Sequence, residues 1–159
     1  MAIEKNELRR VMGHFATGVT VITSRRSSGE LHGLTANAFT SVSLIPPLAL
    51  ICVDKKAESY PCFEESKIFT VNVLASHQEA LSRKFAVSGG NKFEGVAYTL
   101  GANGAPIIEG ALAYLECKVT TAIDGGDHTI YLGEIEQAET SAEGKPLLFF
   151  RGGYREIGD

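Results

Sequence analysis

A β-hairpin with a glycine-rich turn is the feature that most constrains the fold of this chain. Residues 111–122 (ALAYLECKVTTA) alternate in part between apolar and polar side chains, and residues 128–139 (HTIYLGEIEQAE) return after a DGGD turn. A tight Asp/Gly turn between two such runs is typical of a hairpin. Because strands joined this closely pair antiparallel, whereas parallel strands need a long crossover, the sequence predicts an antiparallel sheet.

Other segments predict further short strands and a few helices. Residues 48–53 (LALICV) are continuously apolar, as in a strand buried on both faces. An S-x-x-E capping box at Ser76 and Glu79 predicts the start of a helix. Further strands are expected at 18–24, 31–36, 68–74 and within 146–157, helices at 6–15, 57–66 and 77–86, and irregular glycine-rich chain at 87–110.

The order of these elements favours a mainly β fold. About six or seven short strands in hairpin order, with two or three helices, indicate a barrel or a sandwich. Strict alternation of strands and helices is absent from the pattern, which argues against a doubly wound parallel sheet. At 159 residues, the whole chain, 1–159, is expected to form a single domain.

Composition and charge limit the classes of partner. The net charge is −4, so neither nucleic acid nor an anionic membrane surface is expected as a partner. No apolar run reaches the roughly 20 residues of a membrane span, and the first ten residues lack the apolar segment of a secretion signal. The three cysteines and four histidines show no metal or redox spacing, so we expect free thiols, no metal site and a cytoplasmic location.

Familiar phosphate-binding and catalytic motifs are missing from the sequence. It contains neither G-x-G-x-x-G nor G-x-x-x-x-G-K-[ST], and neither G-x-S-x-G nor H-E-x-x-H. Nothing in the chain therefore marks a nucleophile or a general base.

A polar run leads into the apolar strand. Residues 33–54 (GLTANAFTSVSLIPPLALICVD) mix hydroxyls and an amide with apolar spacers. One interpretation is a long turn whose side chains bond to their own backbone. The other is a cradle for a flat heterocycle with a polar tail, in which backbone N–H groups and the amide meet ring atoms while the apolar residues form walls. The residues alone leave both interpretations open.

Two further segments carry candidate binding residues. His128 follows the glycine turn at the mouth of a strand, a common place for functional residues, although a lone histidine is more often structural or solvated. Arg83 and Lys84 stand beside Phe85. That trio suits either a solvated helix face with one core aromatic or a phosphate contact beside a stacking surface.

Seven segments in order resemble one family, from about Leu8 to Tyr154. The ordered set, with T-A-N-A-F, S-x-S and G-D-H, resembles the short-chain flavin reductases, which are the reductase components of two-component flavin monooxygenases that hydroxylate phenols or hydroxyphenylacetates. The segments are HFATGVTVIT (14–23), HGLTANAFTSVSLIPPLALICVD (32–54), FTVNVL (69–74), LSRKFA (81–86), GALAYLEC (110–117), GDHTIYLGEI (126–135) and PLLFFRGGY (146–154).

The resemblance implies an FMN-binding split barrel, an antiparallel Greek-key β-barrel with a few flanking helices. It implies a homodimer with the flavin near the subunit interface. It also implies an enzyme, an NAD(P)H-dependent flavin reductase that uses FAD or FMN with NADH or NADPH and supplies reduced flavin to a partner monooxygenase. In such an enzyme a hydride passes from nicotinamide C4 to flavin N5, so the protein supplies placement and electrostatics, and no catalytic side chain is expected.

The resemblance further implies which residues bind each cofactor. Ser59 is expected near the flavin phosphate, and Cys52 is expected to contribute only its backbone. The flavin set is Leu34, Thr35, Ala36, Asn37, Ser41, Val42, Ser43, Cys52, Val53, Asp54, Ser59, Phe85 and Ala86, and the nicotinamide set is Phe15, Ala16, Thr17, Gly18, His128 and Tyr154.

Other functions of the same fold stay open at this point. A flavin carrier without turnover is the main alternative, and an oxidase acting on a pyridoxine phosphate is a weaker one. The residues do not choose FMN over FAD or NADH over NADPH. A 2′-phosphate would need a nearby arginine, and the sequence does not place Arg9, Arg10, Arg25 or Arg26 well enough to assign one.

Overall fold

Short strands make up most of the regular structure. The computed structural model describes residues 2–141 and 143–158. The helices are α1 (Lys5–Met12), α2 (Tyr60–Ser66) and α3 (Glu79–Phe85), with a 3₁₀ turn at Ser76–Gln78 directly before α3. The strands are β1 (Thr17–Gly18), β2 (Thr20–Arg25), β3 (Leu31–Ala36), β4 (Phe39–Leu44), β5 (Pro47–Asp54), β6 (Ile68–Val73), β7 (Tyr98–Leu100), β8 (Pro106–Ile108), β9 (Ala113–Gly125), β10 (His128–Thr140), β11 (Leu147–Phe150) and β12 (Gly153–Glu156).

Seven strands form one antiparallel sheet in the order β3-β2-β6-β9-β10-β5-β4. Its edge strands β3 and β4 are consecutive in the chain, with only Asn37 and Ala38 between them, so the two edges meet at this corner. Among the described residues the two edges form no ladder with each other, and the corner is held instead by the Cys52 N–H, which donates to the Ala38 carbonyl at 3.1 Å. The sheet is therefore a barrel split between β3 and β4, which confirms the predicted fold.

The predicted hairpin is present as β9 and β10. The two strands pair antiparallel from His128 opposite Gly125 to Thr140 opposite Ala113. Gly126 in the turn has a φ of +77°, which glycine adopts without steric cost. The glycine at 133 serves close packing instead, since a Cβ there would lie only 2.7 Å from the Phe69 ring.

Two details of the predicted elements are wrong. The strand at 48–53 is buried on one face only: Ala49, Ile51 and Val53 are buried, and the residues between them are half-buried because the outer face of β5 is only partly covered. The capping box at Ser76 does not form. The Ala75 N–H donates instead to Gln78 Oε1 at 2.9 Å, so an amide side chain one position earlier than the predicted Glu79 closes this turn.

The irregular stretches contain more strand than the sequence suggested. Within 87–110 the chain forms the β7–β8 hairpin. The polar run at 33–54 is the end of β3, all of β4 and all of β5 rather than one long turn. Backbone pairing with neighbouring strands overrides the turn preference of Thr, Asn and Ser here, because the ladder satisfies the same backbone groups.

Two hydrophobic clusters pack on opposite faces of the central strands. Successive residues of a strand point to opposite faces, so Val21 and Ile22 of β2 belong to different clusters. The barrel-interior cluster contains Ile22, Ile51, Val53, Phe63, Phe69, Val71, Cys117 and Tyr131. The α3 cluster, on the other face, contains Val19, Val21, Leu74, Phe85, Phe93, Ile108 and Leu147.

Two apolar surfaces remain uncovered in the single chain. Helix α1 buries none of its residues, and Val11 and Met12 are exposed on it. Phe15, just beyond the helix, is 76% exposed. Leu44 and Ile45, at the turn between β4 and β5, are 90% and 94% exposed.

Candidate functional site

The corner where the barrel splits contains a cavity of about 380 Å³, here called the corner cavity. It brings together the end of β3, the ends of β5 and β10, the segment leading into α2, and the chain that follows α3. Most of the predicted flavin residues line it, together with His128 and several residues that were not predicted. The lining residues are Leu34, Thr35, Ala36, Asn37, Ala38, Cys52, Asp54, Lys56, Ala57, Glu58, Ser59, Phe85, Ala86, Ser88, Lys92 and His128.

The free edge of β3 gives this cavity a row of backbone groups. The Gly33 carbonyl accepts hydrogen bonds from Ser59 Oγ at 3.2 Å and from Lys92 Nζ at 3.3 Å, both outside the β2–β3 ladder. A strand residue points its N–H and C=O to the same side, and alternate residues share a side. The backbone N–H and C=O of Thr35 therefore face the same unpaired edge, where they can bind a ligand.

Side-chain hydroxyls at the site are already engaged with the protein. Thr35 Oγ1 donates to the Ser82 carbonyl at 2.6 Å, and Ser59 Oγ donates to the Gly33 carbonyl. Both hydroxyls hold the cavity wall in place and offer a ligand their lone pairs. The amide of Asn37 is exposed and makes no side-chain hydrogen bond within residues 2–141 and 143–158, so it is free to donate and accept.

An aromatic residue forms the floor of the corner cavity. The Phe85 ring is 1% exposed and packs edge-on against Phe93, with ring centroids 5.1 Å apart. Gly33 makes this approach possible, since a Cβ there would lie 2.8 Å from the Phe85 ring. Together with Leu34 and Ala36, the ring gives the cavity apolar walls that suit a flat ligand.

His128 stands at the rim, opposite Asp54 in the β5–β10 ladder. Its Nδ1 lies 2.7 Å from the Asp127 carboxylate, and its side chain is 40% exposed. This hydrogen bond lowers the pKa of the Asp127 carboxyl below its usual value. Nε2 makes no bond to any described residue, so it is available to a ligand or to water.

A second cavity of about 310 Å³ adjoins the first. It is lined by Phe15, Ala16, Thr17 and Gly18, four of the residues in the predicted nicotinamide set. Asn37 lines both cavities and stands between them. The geometry therefore places residues 15–18 beside the corner cavity, with the amide of Asn37 at the boundary between the two cavities.

Five of the predicted site residues lie outside both cavities. Ser41, Val42 and Ser43 belong to the edge strand β4, where a register shift falls between Ser41 and Ser43. The Val53 side chain is 1% exposed in the barrel interior, which leaves only its backbone near the site. Tyr154 is bound within the protein: its hydroxyl lies 2.6 Å from Ser82 Oγ, and Arg83 lies over its ring at 4.8 Å.

Lys92 is the most informative residue that sequence reasoning missed. Its half-buried ammonium donates to the carbonyls of Gly33 and Phe85, at 3.3 and 3.2 Å. Burial lowers its pKa below the usual value for lysine. One sequence signal could have identified it: Lys92 and Phe93 form a Lys-Phe pair shortly after two glycines. This pair is similar to Lys84-Phe85, which the sequence analysis did select as a candidate.

Other features limit the chemistry available to the site. The three cysteines are free thiols, as predicted, and burial raises the pKa of the Cys52 thiol beside the cavity. Across residues 2–141 and 143–158, no group of three or more His, Cys, Asp or Glu side chains is arranged to hold a metal ion. None of the helices in the same ranges is long and apolar enough to cross a membrane.

Fold and site together define a split-barrel protein with a corner cavity suited to a flat ligand that carries a polar tail. The family model described as "Flavin reductase like domain" matches residues 12–158. The chain belongs to this flavin reductase family, as the sequence motifs predicted.

Known relatives agree with this assignment. The chain is 39% identical to a flavin reductase of Pseudomonas putida over 96% of its own length and 90% of the relative's. It is 39% identical to the reductase subunit of a flavin-dependent monooxygenase from Rhodococcus jostii (strain RHA1), covering 98% of this chain and 80% of that one. A solved structure of an NADH:FAD oxidoreductase from Streptomyces globisporus C-1027, in complex with NAD and FAD fragments, superimposes with a TM-score of 0.93 at 45% identity over 98% of this chain and 93% of the other.

Proposed function

We propose that this protein is an enzyme, an NAD(P)H-dependent flavin reductase that supplies reduced flavin to a partner monooxygenase. The observation that carries the proposal is the corner cavity, whose free β3 edge, apolar floor and adjoining second cavity fit two stacked planar cofactors. The names of the relatives, among them an NADH-dependent FAD reductase at 45% identity, support the same reaction.

The chain's own residues hold and orient the reactants. A bound nicotinamide nucleotide and flavin supply the hydride transfer themselves. The Thr35 N–H, on the free edge of β3, would donate a hydrogen bond to the bound ring, and a donor there would stabilise the negative charge that reduction adds. Asn37 would orient the polar rim of the ligand where the two cavities meet. Phe85 and Leu34 would form an apolar wall beside the ring and would exclude water from it.

The residue assignments follow from this arrangement and remain part of the proposal. The members of the predicted flavin set that line the corner cavity contact the ring and its tail. Residues 15–18 and His128 contact the nicotinamide nucleotide, because they border the same corner from two sides. Ser41, Val42 and Ser43 contribute from β4 only if a second subunit completes the site there.

The same proposal includes a homodimer. Val11, Met12 and Phe15 beside the second cavity, and Leu44 and Ile45 beside β4, expose apolar surface that a second copy would cover. Twofold symmetry would then create two equal sites. Sedimentation of the purified protein at micromolar concentration tests this. A monomer that still binds flavin tightly would contradict the dimer and leave the reductase assignment intact.

The three free thiols support a reducing compartment, so we include a cytoplasmic location in the proposal. The partner monooxygenase is supported by relatives that are themselves reductase subunits of flavin-dependent monooxygenases. Transfer of reduced flavin requires that the flavin leave the corner cavity, which is open to solvent at the His128 rim.

A steady-state assay tests the reaction. Purified protein is mixed with NADH or NADPH and with FAD, FMN or riboflavin, and the loss of nicotinamide absorbance is followed. We expect flavin-dependent turnover with at least one pairing. Tight flavin binding without turnover in any pairing would overturn the enzyme and favour a flavin carrier.

His128→Ala tests the nicotinamide side of the site. Losing one hydrogen bond to the nucleotide is expected to raise the KM for the nicotinamide substrate about tenfold, roughly 1.4 kcal/mol, while the flavin KM stays the same. His77→Ala, a histidine that lines neither cavity, is the matched control. An unchanged KM in His128→Ala would remove this residue from the nucleotide site.

A further inference from the structure

A third cavity, of about 570 Å³, lies where the end of α1 meets the turn between β11 and β12. We call it the arginine cavity. Arg9, Arg10 and Arg151 line it together with Asn6, His14 and two glycines, and no carboxylate of the described chain is among its lining residues. The cofactor contacts proposed above make no use of this cavity.

Two of the three guanidinium groups lack a carboxylate partner. Arg10 pairs with Glu7 on the same helix, at 2.6 Å. Arg9 and Arg151 form no ion pair within residues 2–141 and 143–158. The Arg151 guanidinium lies over the Phe150 ring, 5.1 Å from its centroid, a contact that leaves its N–H donors free. Two such groups in one cavity favour a phosphate, because a guanidinium can bind phosphate oxygens through two parallel N–H bonds.

The backbone of Arg151 is held in an unusual conformation. Its φ is +51°, in the left-handed region that an arginine rarely adopts. The Arg151 N–H donates to the Gly13 carbonyl at 2.8 Å, which ties the β11–β12 turn to the end of α1. Strained conformations of this kind are concentrated at ligand sites.

The carbonyl end of α1 opposes an anion only weakly. Free carbonyls at a helix C-terminus repel negative charge. Here the Arg10 carbonyl accepts from His14 Nδ1 at 2.8 Å, and the Val11 carbonyl accepts the His14 N–H at 3.1 Å. The positive charge of Arg9 and Arg151 therefore dominates the cavity.

The arginine cavity adjoins the proposed nicotinamide side of the site. Gly13 and His14 line it, and residues 15–18, which follow directly, line the second cavity. The chain from Gly13 to Gly18 is at most about 18 Å long. One extended dinucleotide can therefore reach from the second cavity into the arginine cavity.

Two other arginines near the start of the chain are placed elsewhere. Arg25 ends β2, about 16 Å of strand away from Thr20, which lines the second cavity. Arg26 lies 3.8 Å from the Glu65 carboxylate. Neither is available to a nucleotide at the second cavity.

We propose that the arginine cavity binds the 2′-phosphate of NADPH through Arg9 and Arg151, so that this reductase accepts NADPH as well as NADH. The inference rests on the proposed reductase function and deepens it, since it identifies the coenzyme. It goes beyond the relatives whose names state a coenzyme, which are named for NADH.

Steady-state kinetics with each coenzyme at saturating flavin test the proposal. In the wild-type protein the KM for NADPH is expected to be no higher than the KM for NADH. Arg9→Gln and Arg151→Gln should each raise the KM for NADPH about tenfold, because each loses a charge-assisted hydrogen bond to phosphate. The KM for NADH, which has no 2′-phosphate, should change less than about twofold.

Arg155→Gln is the matched control. Arg155 is an exposed arginine of β12 that lines none of the three cavities, so its loss removes the same charge without a contact to the ligand. Both KM values should stay within about twofold of wild type. Arg151→Lys keeps the charge but not the planar donors, and it should raise the KM for NADPH less than Arg151→Gln does.

Inhibitors distinguish a coenzyme site from a general anion site. Adenosine 2′,5′-bisphosphate and 5′-AMP differ only in the 2′-phosphate. The bisphosphate should compete with NADPH more strongly than either 5′-AMP or inorganic phosphate, and Arg151→Gln should remove its advantage over 5′-AMP. Equal inhibition by the bisphosphate and by inorganic phosphate would show an adventitious anion site only and would overturn the proposal.

The kinetic outcomes separate this inference from the proposed function. A wild-type KM for NADPH about tenfold or more above that for NADH would overturn the inference. Equal changes of both KM values in Arg9→Gln and Arg151→Gln would do the same. In either case turnover with NADH leaves the reductase assignment intact. Absence of turnover with both coenzymes would instead overturn the reductase, and calorimetry of the bisphosphate with wild type and Arg151→Gln would still decide whether the arginine cavity binds it.

Discussion

The two faces of the central strands use similar side chains for different purposes. The barrel-interior cluster contains Phe63, Phe69 and Tyr131, and none of its residues lines the corner cavity. The residues of the α3 cluster are also buried, yet its Phe85 forms the floor of the corner cavity. Burial alone therefore does not separate structural from functional aromatic residues in this protein.

The difference arises from what covers each face. The interior is closed by the curvature of the sheet, so its side chains meet only one another. The opposite face is covered by α3 and the chain after it, and the gap at the β3 edge remains open to ligands. Stability and ligand binding are thus expected to be coupled on the α3 side and separate in the barrel interior.

The largest effect on stability is expected when Phe69 and Phe85, one from each cluster, are replaced in parallel. Phe69→Ala and Phe85→Ala should each lower the free energy of unfolding by about 3–5 kcal/mol, because each removes a fully buried ring. Only Phe85→Ala should also raise the flavin KM, since only its ring lines the corner cavity. Urea denaturation and steady-state kinetics on the folded fraction measure both quantities. A raised flavin KM in Phe69→Ala would contradict the proposed separation of stability from ligand binding in the barrel interior.

A smaller effect is expected from the polar network beside the α3 cluster. Asn72 is fully buried; its amide donates to the Val21 carbonyl at 3.1 Å and accepts from the Ile108 N–H at 2.9 Å. Asn72→Ala should lower the free energy of unfolding by about 2–3 kcal/mol, because it leaves a buried backbone N–H unpaired. The thermal midpoint checks this, and Asn6→Ala, at an exposed position of α1, should shift it far less.

The smallest expected effect is pH-dependent and concerns the barrel interior. The Tyr131 hydroxyl donates to Glu64 Oε1 at 2.5 Å, and this bond lowers the pKa of the Glu64 carboxyl. A carboxyl whose pKa is lower in the folded state stabilises the protein above its unfolded pKa of about 4.3, and the contribution is lost as the pH falls through the folded value.

Tyr131→Phe should therefore lower the free energy of unfolding by about 1 kcal/mol at about pH 7. The effect is small because the Glu64 carboxylate is partly exposed to solvent. The difference from wild type should shrink as the pH is lowered below about 4. Urea denaturation at several pH values measures it. A difference that stays constant over this range would show that the lost packing of the hydroxyl, rather than its bond to Glu64, sets the cost.

Sequence patterns predicted most of the strands but not which strands pair or where the sheet ends. The β9–β10 hairpin follows from its turn residues, and β3 appears at its predicted residues 31–36. The split could not be foreseen from local patterns, because it depends on β3 and β4 both lying at sheet edges that only long-range pairing defines. Val53 shows the same limit: its place in a flavin motif is read from sequence, but its side chain faces the barrel interior.

The sequence by itself determined the mainly β class, the hairpin order and the family, because turn residues, periodicity and ordered motifs are local properties of the chain. Only the tertiary structure decided that the β3 edge stays unpaired, that Gly33 lets Phe85 lie beneath it, and that Lys92 donates to the Gly33 carbonyl beside the corner cavity. These contacts connect residues 52 and 59 positions apart in the chain, and which distant segments touch is settled by the packing of the whole sheet.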